Sequence, residues 1–142
     1  MKLAVILAGA LALALITPQA HAQRVGIAVV EAPEQSSGVC FADNLDRGFE
    51  CARAQCVEGG ADLGDCLRVA WCYPANWSAD IFMQNEEGFH WHEYLCGWAT
   101  RAALEAAARV KCEEQGTMTL IECEIVRMWD EGEEIVLYPG GE

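Results

Sequence analysis

Basic residues are scarce in this chain. Nine Lys and Arg stand against 22 Asp and Glu, a net charge of −13 over 142 residues. A nucleic-acid surface needs clustered Lys and Arg to displace counterions from phosphate, so the composition argues against that partner class. Anionic membrane surfaces are disfavoured for the same reason. Hydroxyl side chains are also few: between position 23 and the second expected helix there are Ser36, Ser37, Ser78 and Thr100. No G-x-S-x-G, no serine beside a histidine and no glycine-rich phosphate loop is present, which leaves hydroxyl-nucleophile catalysis without a starting point. No C-x-x-C occurs among the eight cysteines, and that spacing is what lowers an attacking thiol's pKa in disulfide oxidoreductases. Past residue 22 no stretch approaches the roughly 18 apolar residues that a bilayer crossing takes.

What is present begins with an export pattern. Lys2 precedes an uncharged Leu/Ala-rich stretch over 3–16, Pro18 breaks it, and Ala20-His21-Ala22 supplies the small-x-small motif. Residues 1–22 therefore read as a removable signal peptide and 23–142 as one domain, periplasmic or secreted. Loss of Lys2 leaves 8 basic residues against the 22 acidic ones, a net charge of −14. Solubility accounts for such a charge, while a basic partner is compatible with it.

Export determines how the cysteines are read, because thiols oxidise outside the cytoplasm. Six of the eight fall into two matching sets: Cys40, Cys56 and Cys66 follow C-x15-C-x9-C, and Cys96, Cys112 and Cys123 follow C-x15-C-x10-C. The spacing predicts two copies of one strand–helix–strand unit, about 39–83 and about 89–130, over a mostly antiparallel sheet. The expected class is a small disulfide-rich α+β domain.

The pattern along the chain places the elements. Residues 25–30 read as a buried strand and 33–38 as a loop. Asp43 or Asn44 can cap a helix whose apolar stripe is Leu45, Phe49, Ala52 and Cys56, with Gly59-Gly60 as its stop. Strands are expected over 66–73 and 79–83. In the second unit, 89–98 is strand-like. Thr100 caps a helix running to about Glu114, with Gly116 beyond it. Arg101, Glu105, Arg109 and Glu113 form its solvated face, and Ala103, Leu104, Ala107 and Val110 its sheet-facing side. A strand over 120–129, an acidic loop over 130–134 and an edge strand over 135–138 complete the order.

Cys51-Ala52-Arg53-Ala54-Gln55-Cys56 followed by Cys66-Leu67-Arg68-Val69, and Ala106-Ala107-Ala108 followed by Cys112 and Cys123-Glu124-Ile125-Val126, share one pattern. It is an alanine-rich helix ending in Cys, then a second Cys, then an apolar strand. This resembles the secreted bacterial domain-of-unknown-function 4189 family. The resemblance implies a compact exported α+β domain and brings no established activity or cofactor.

Duplication also suggests a pairing of the cysteines: Cys56 with Cys66, Cys112 with Cys123, the unmatched Cys51 with Cys72, and Cys40 with Cys96 between the halves. His90 and His92 sit two apart in a strand, so both imidazoles point to one face and can reach a shared cation. A third ligand would have to come from a carboxylate such as Glu86 or Glu87, or from a free thiol; a half-exposed aromatic strand fits the same residues. The adjacent acids Glu86-Glu87, Glu113-Glu114 and Glu133-Glu134 fit solvated loops better than a hydrolase's separated pair. Asn76-Trp77-Ser78 matches a glycosylation sequon, taken here as chance. Trp71, Trp77, Trp91, Trp98 and Trp129 are many for the length, and supply core or a recognition patch. The expected role is a monomeric, non-catalytic binding module for a protein, peptide or glycan. The alternatives are metal binding through His90 and His92 and, last, a hydrolase.

Overall fold

The structure, a computed structural model, describes residues 24–114, 116 and 119–137. The expected signal peptide over 1–22 and the chain from 138 onward lie outside the described residues. Two antiparallel sheets are formed. The first contains β1 (Gly26–Ala32), β2 (Ser36–Ala42) and β3 (Leu67–Cys72) in the order β2-β1-β3, with α1 (Leu45–Glu58) between β2 and β3 in sequence. The second contains β4 (Trp77–Asn85), β5 (His90–Trp98), β6 (Leu120–Asp130) and β7 (Glu133–Ile135) in the order β5-β4-β6-β7, with α2 (Arg101–Glu113) between β5 and β6. Both sheets thus run hairpin, helix, then a strand returning along the free side of the first strand.

β1 explains the layering. It is apolar at nearly every position and buried on both faces, as a strand covered on two sides requires. Ala28, Val30 and Ala32 pack against Phe49, Ala52 and Cys56 of α1, whereas Ile27 and Val29 pack with Trp129 of the second sheet. β4 repeats the arrangement: Ala79, Ile81 and Met83 meet Leu104 and Ala108 of α2. The layers are therefore helix, sheet, sheet, helix, with each helix outermost. Each fully buried Ile, Leu or Val in these layers contributes about 1.5–3 kcal/mol.

The helices start where capping chemistry is available. The Asn44 side chain accepts a hydrogen bond from the Arg47 amide at 3.0 Å, and the Thr100 hydroxyl from the Ala103 amide at 3.2 Å. α1 ends at Gly59, with Gly60 in the left-handed region beyond it. On α2 the Arg101–Glu105 pair closes at 2.7 Å on the solvated face. Val110, expected against the sheet, is exposed, and Ala108 takes the buried place. The apolar arc of this helix is narrower than its composition suggests, because alanine is compatible with either side.

Three boundaries differ from the sequence reading. Residues 33–38 are not one loop: a turn over 33–35, closed by the Gln35 amide on the Ala32 carbonyl, leads into β2 at Ser36. Ser36 and Ser37 pair with Ala32 and Glu31 in register, so ladder hydrogen bonds outweigh their turn-like composition. The strand over 79–83 does not close the first unit; it is the middle of β4, which pairs with β5 and β6. The last edge strand lies at Glu133–Ile135, where it pairs with Met128, Trp129 and Asp130.

All eight cysteines are in disulfides. Cys56–Cys66 and Cys112–Cys123 each join a helix end to the returning strand or its entry. The expected Cys51–Cys72 and Cys40–Cys96 pairs are not formed; the bonds are Cys40–Cys51 and Cys72–Cys96. α1 lies directly on β2, which brings the Cys40 and Cys51 Cα atoms to 5.9 Å. Cys72 is at the end of the edge strand β3, where it meets β5, so it bonds across the sheets instead. Cys51 and Cys72, without counterparts in the other half, lie on different elements and are not neighbours.

Candidate functional site: a cleft between the sheets

The inner faces of the two sheets bury one another at one end only. There Ile27, Val29, Val39, Ala75 and Trp129 form a core with Tyr94 and the Cys72–Cys96 bridge packed against it. Further along β1 the inward position passes to Glu31, and along the matching face of β4 to Asp80 and Phe82, paired with Tyr94 and His92 of β5. Apolar closure stops at that level. The β1–β2 turn overhangs the gap, leaving a cleft of about 340 Å³ lined by Glu31, Ser36, Ser37, His90, Trp91 and His92.

Asp80, on β4 next to the strand that carries His92, is only 4% exposed. Its Oδ1 lies 2.6 Å from Nδ1 of His92. A carboxylate accepts, so Nδ1 carries the proton and Nε2 is the nitrogen left to meet a ligand. This hydrogen bond raises the pKa of His92; burial opposes it, and the charges of Asp80 and Glu31 reinforce it. Glu31 reaches the same region from the first sheet. Burial raises its carboxyl above the ordinary value, Asp80 and Glu93 add to the rise, and His92 counteracts it. The imidazole is therefore flanked by one carboxylate from each sheet. Beside it, burial pushes the Tyr94 phenol well above its usual range.

His90 and His92 do share a face, as the spacing predicts. Phe82 stands next to both, its ring centroid 5.9 Å from His90 and 5.6 Å from His92, and Tyr94 stacks on His92 at 6.2 Å. The third ligand expected from Glu86 or Glu87 is not beside them. Those two residues are exposed in the β4–β5 turn, and no thiol is free. Among the described residues no group of three or more His, Cys, Asp or Glu is disposed to hold a metal ion.

The other expected sites disperse. Glu113-Glu114 lies exposed at the end of α2, and Glu133-Glu134 on β7. Glu134 takes two hydrogen bonds from Arg127, at 2.9 and 3.0 Å, which lower its carboxyl pKa. In the Asn76-Trp77-Ser78 motif, Ser78 is fully buried and its hydroxyl donates to the Ala75 carbonyl at 2.8 Å, a structural role. The tryptophans spread over the fold: Trp129 is core, Trp71 packs against the α1 cluster and Trp91 against the α2 cluster, and Trp98 stands opposite Trp77 in the β4–β5 pairing.

Sequence reasoning missed Glu31, Asp80 and Tyr94. Asp80 carried a readable signal, a lone carboxylate inside the apolar run 79–83, where burial requires a partner. Glu31 carried none, since its role depends on how the two sheets meet. Comparison with known proteins finds no matching family model, no matching curated protein and no matching solved structure.

Proposed function

We propose that the protein is an exported, non-catalytic binding module acting in the periplasm or outside the cell, and that the cleft between its sheets is the ligand site. The partner class is a protein or peptide presenting a basic side chain. One observation carries the reading: His92 sits between Asp80 and Glu31 at the cleft wall, with His90 on the same face and Phe82 and Tyr94 against its ring. One imidazole faces two carboxylates there, so a guanidinium or ammonium group entering the cleft supplies missing positive charge and meets aromatic faces. The net charge of −14 after loss of the leader steers such a partner inward. Four disulfides hold the walls and belong to an oxidising compartment.

An array of basic, neutral and acidic peptides, probed with the wild-type domain and with Glu31→Gln, tests this. Basic peptides are expected to be retained by the wild type and released by the variant, which removes a charge without removing bulk. Equal retention by both, or preference for acidic peptides, overturns the reading.

A further inference from the structure

A second concavity lies on the outer side of the first sheet, between α1 and β3, with a volume of about 540 Å³. Its lining mixes apolar and charged side chains: Phe49 forms part of the base, and Val57 and Leu63 stand at 40% and 63% exposure. Two guanidinium groups enter it. The Arg68 head lies 4.6 Å from the centre of the Phe49 ring. Nε of Arg53 is buried and has no hydrogen-bond partner. Arg47, Arg101 and Arg127 each hold a carboxylate, whereas Arg53 and Arg68 make no ion pair among the described residues. In so acidic a chain, two arginines without an ion pair, set in one groove beside exposed apolar side chains, are a local concentration of guanidinium donors.

A buried donor without an acceptor is unfavourable and marks Arg53 as uncommitted within the protein; the terminal nitrogens of a guanidinium are the donors a ligand meets, and such a group matches a carboxylate with two parallel hydrogen bonds. The exposed Val57 and Leu63 side chains beside it would be covered by an apolar body. Asp46 and Glu50 also line the groove and balance the two arginines in formal charge, so a polyanion is opposed more strongly than a single anionic head. We propose that this groove binds a monoanionic amphiphile, an alkyl carboxylate whose head lies between Arg53 and Arg68 and whose chain covers Val57 and Leu63. The volume falls in the range of small-molecule sites. The proposal is independent of the cleft between the sheets.

Calorimetric titration of the oxidised domain with decanoate, decanol and acetate separates head from tail. Decanoate below its micelle concentration is expected to bind at one site, roughly tenfold or more tighter than decanol, with acetate weaker than either. Arg68→Gln, on an exposed side chain, and Arg53→Gln are each expected to remove most of the preference for decanoate over decanol. Amide chemical shifts should move on α1 and over 61–65. Equal affinity for decanoate and decanol, an unchanged preference in both variants, or shifts confined to the inter-sheet cleft overturns the proposal. Should Arg53→Gln fail to fold, the wild-type preference and Arg68→Gln decide it.

Discussion

Cys72, at the end of β3, is bonded to Cys96 of β5 with their Cα atoms 5.9 Å apart, and this is the one disulfide of the four that joins the two sheets. It closes the apolar end of the gap, opposite the cleft mouth. Replacing both cysteines by alanine should lower unfolding free energy by about 2–4 kcal/mol. Urea denaturation of the otherwise oxidised domain measures it. An unchanged midpoint would mean that the inner core alone holds the sheets together.

The Asp80–His92 hydrogen bond makes stability proton-linked. The folded pKa of His92 lies above its ordinary 6.5, so its contribution is whole below that value and is lost as pH rises through the folded pKa. Glu31 is also raised, from 4.5, and its contribution falls in the same direction from a lower pH. Wild-type stability should therefore carry a declining component from about pH 4.5 to above 6.5, and His92→Ala should lose the upper part of that decline. The test is the difference in denaturant midpoint between the two chains across this range. Parallel curves would contradict it.

At Gly38 the first sheet passes directly against the backbone of α1. A Cβ placed there would lie 1.9 Å from the Ala52 carbonyl oxygen, and helix backbone cannot yield as a flexible side chain does. Gly38→Ala should destabilise by about 1–3 kcal/mol or more, visible as a lowered thermal midpoint. Gly64→Ala, with open space around it, is the control and should leave the midpoint nearly unchanged.

The cap residues give smaller, separable effects. Asn44→Ala and Thr100→Ala should each lower stability by about 1 kcal/mol through the loss of one amide partner. Leu104→Ala, which empties a fully buried site between α2 and β4, should lower it by about 2–5 kcal/mol. All three are read from chemical denaturation.

Local chemistry was legible in the sequence to the extent that it is local. The caps, the Gly59-Gly60 stop, the stripe of Phe49, Ala52 and Cys56, and the solvated Arg101–Glu105 face are set by neighbours within a few turns. The α+β class followed from them. Ser36 and Ser37 were misread because their strand exists only through pairing with β1. Cys40 and Cys72 were misassigned because disulfide partners depend on which helix covers which sheet. The candidate site was half legible. His90 and His92 face one way because of strand alternation, and Asp80 joins His92 through the β4–β5 pairing, whereas Glu31 becomes a neighbour of His92 only when the two sheets meet.

The positions of the four sulfur bridges bear on how the protein meets proteases. A backbone cut over 41–50, 57–65, 73–95 or 113–122 falls inside a covalent ring. The nicked chain stays one body until it is reduced. Cleavage in the β1–β2 turn is different, since no cysteine precedes Cys40: it frees the central strand of the first sheet and, with it, the Glu31 wall of the cleft.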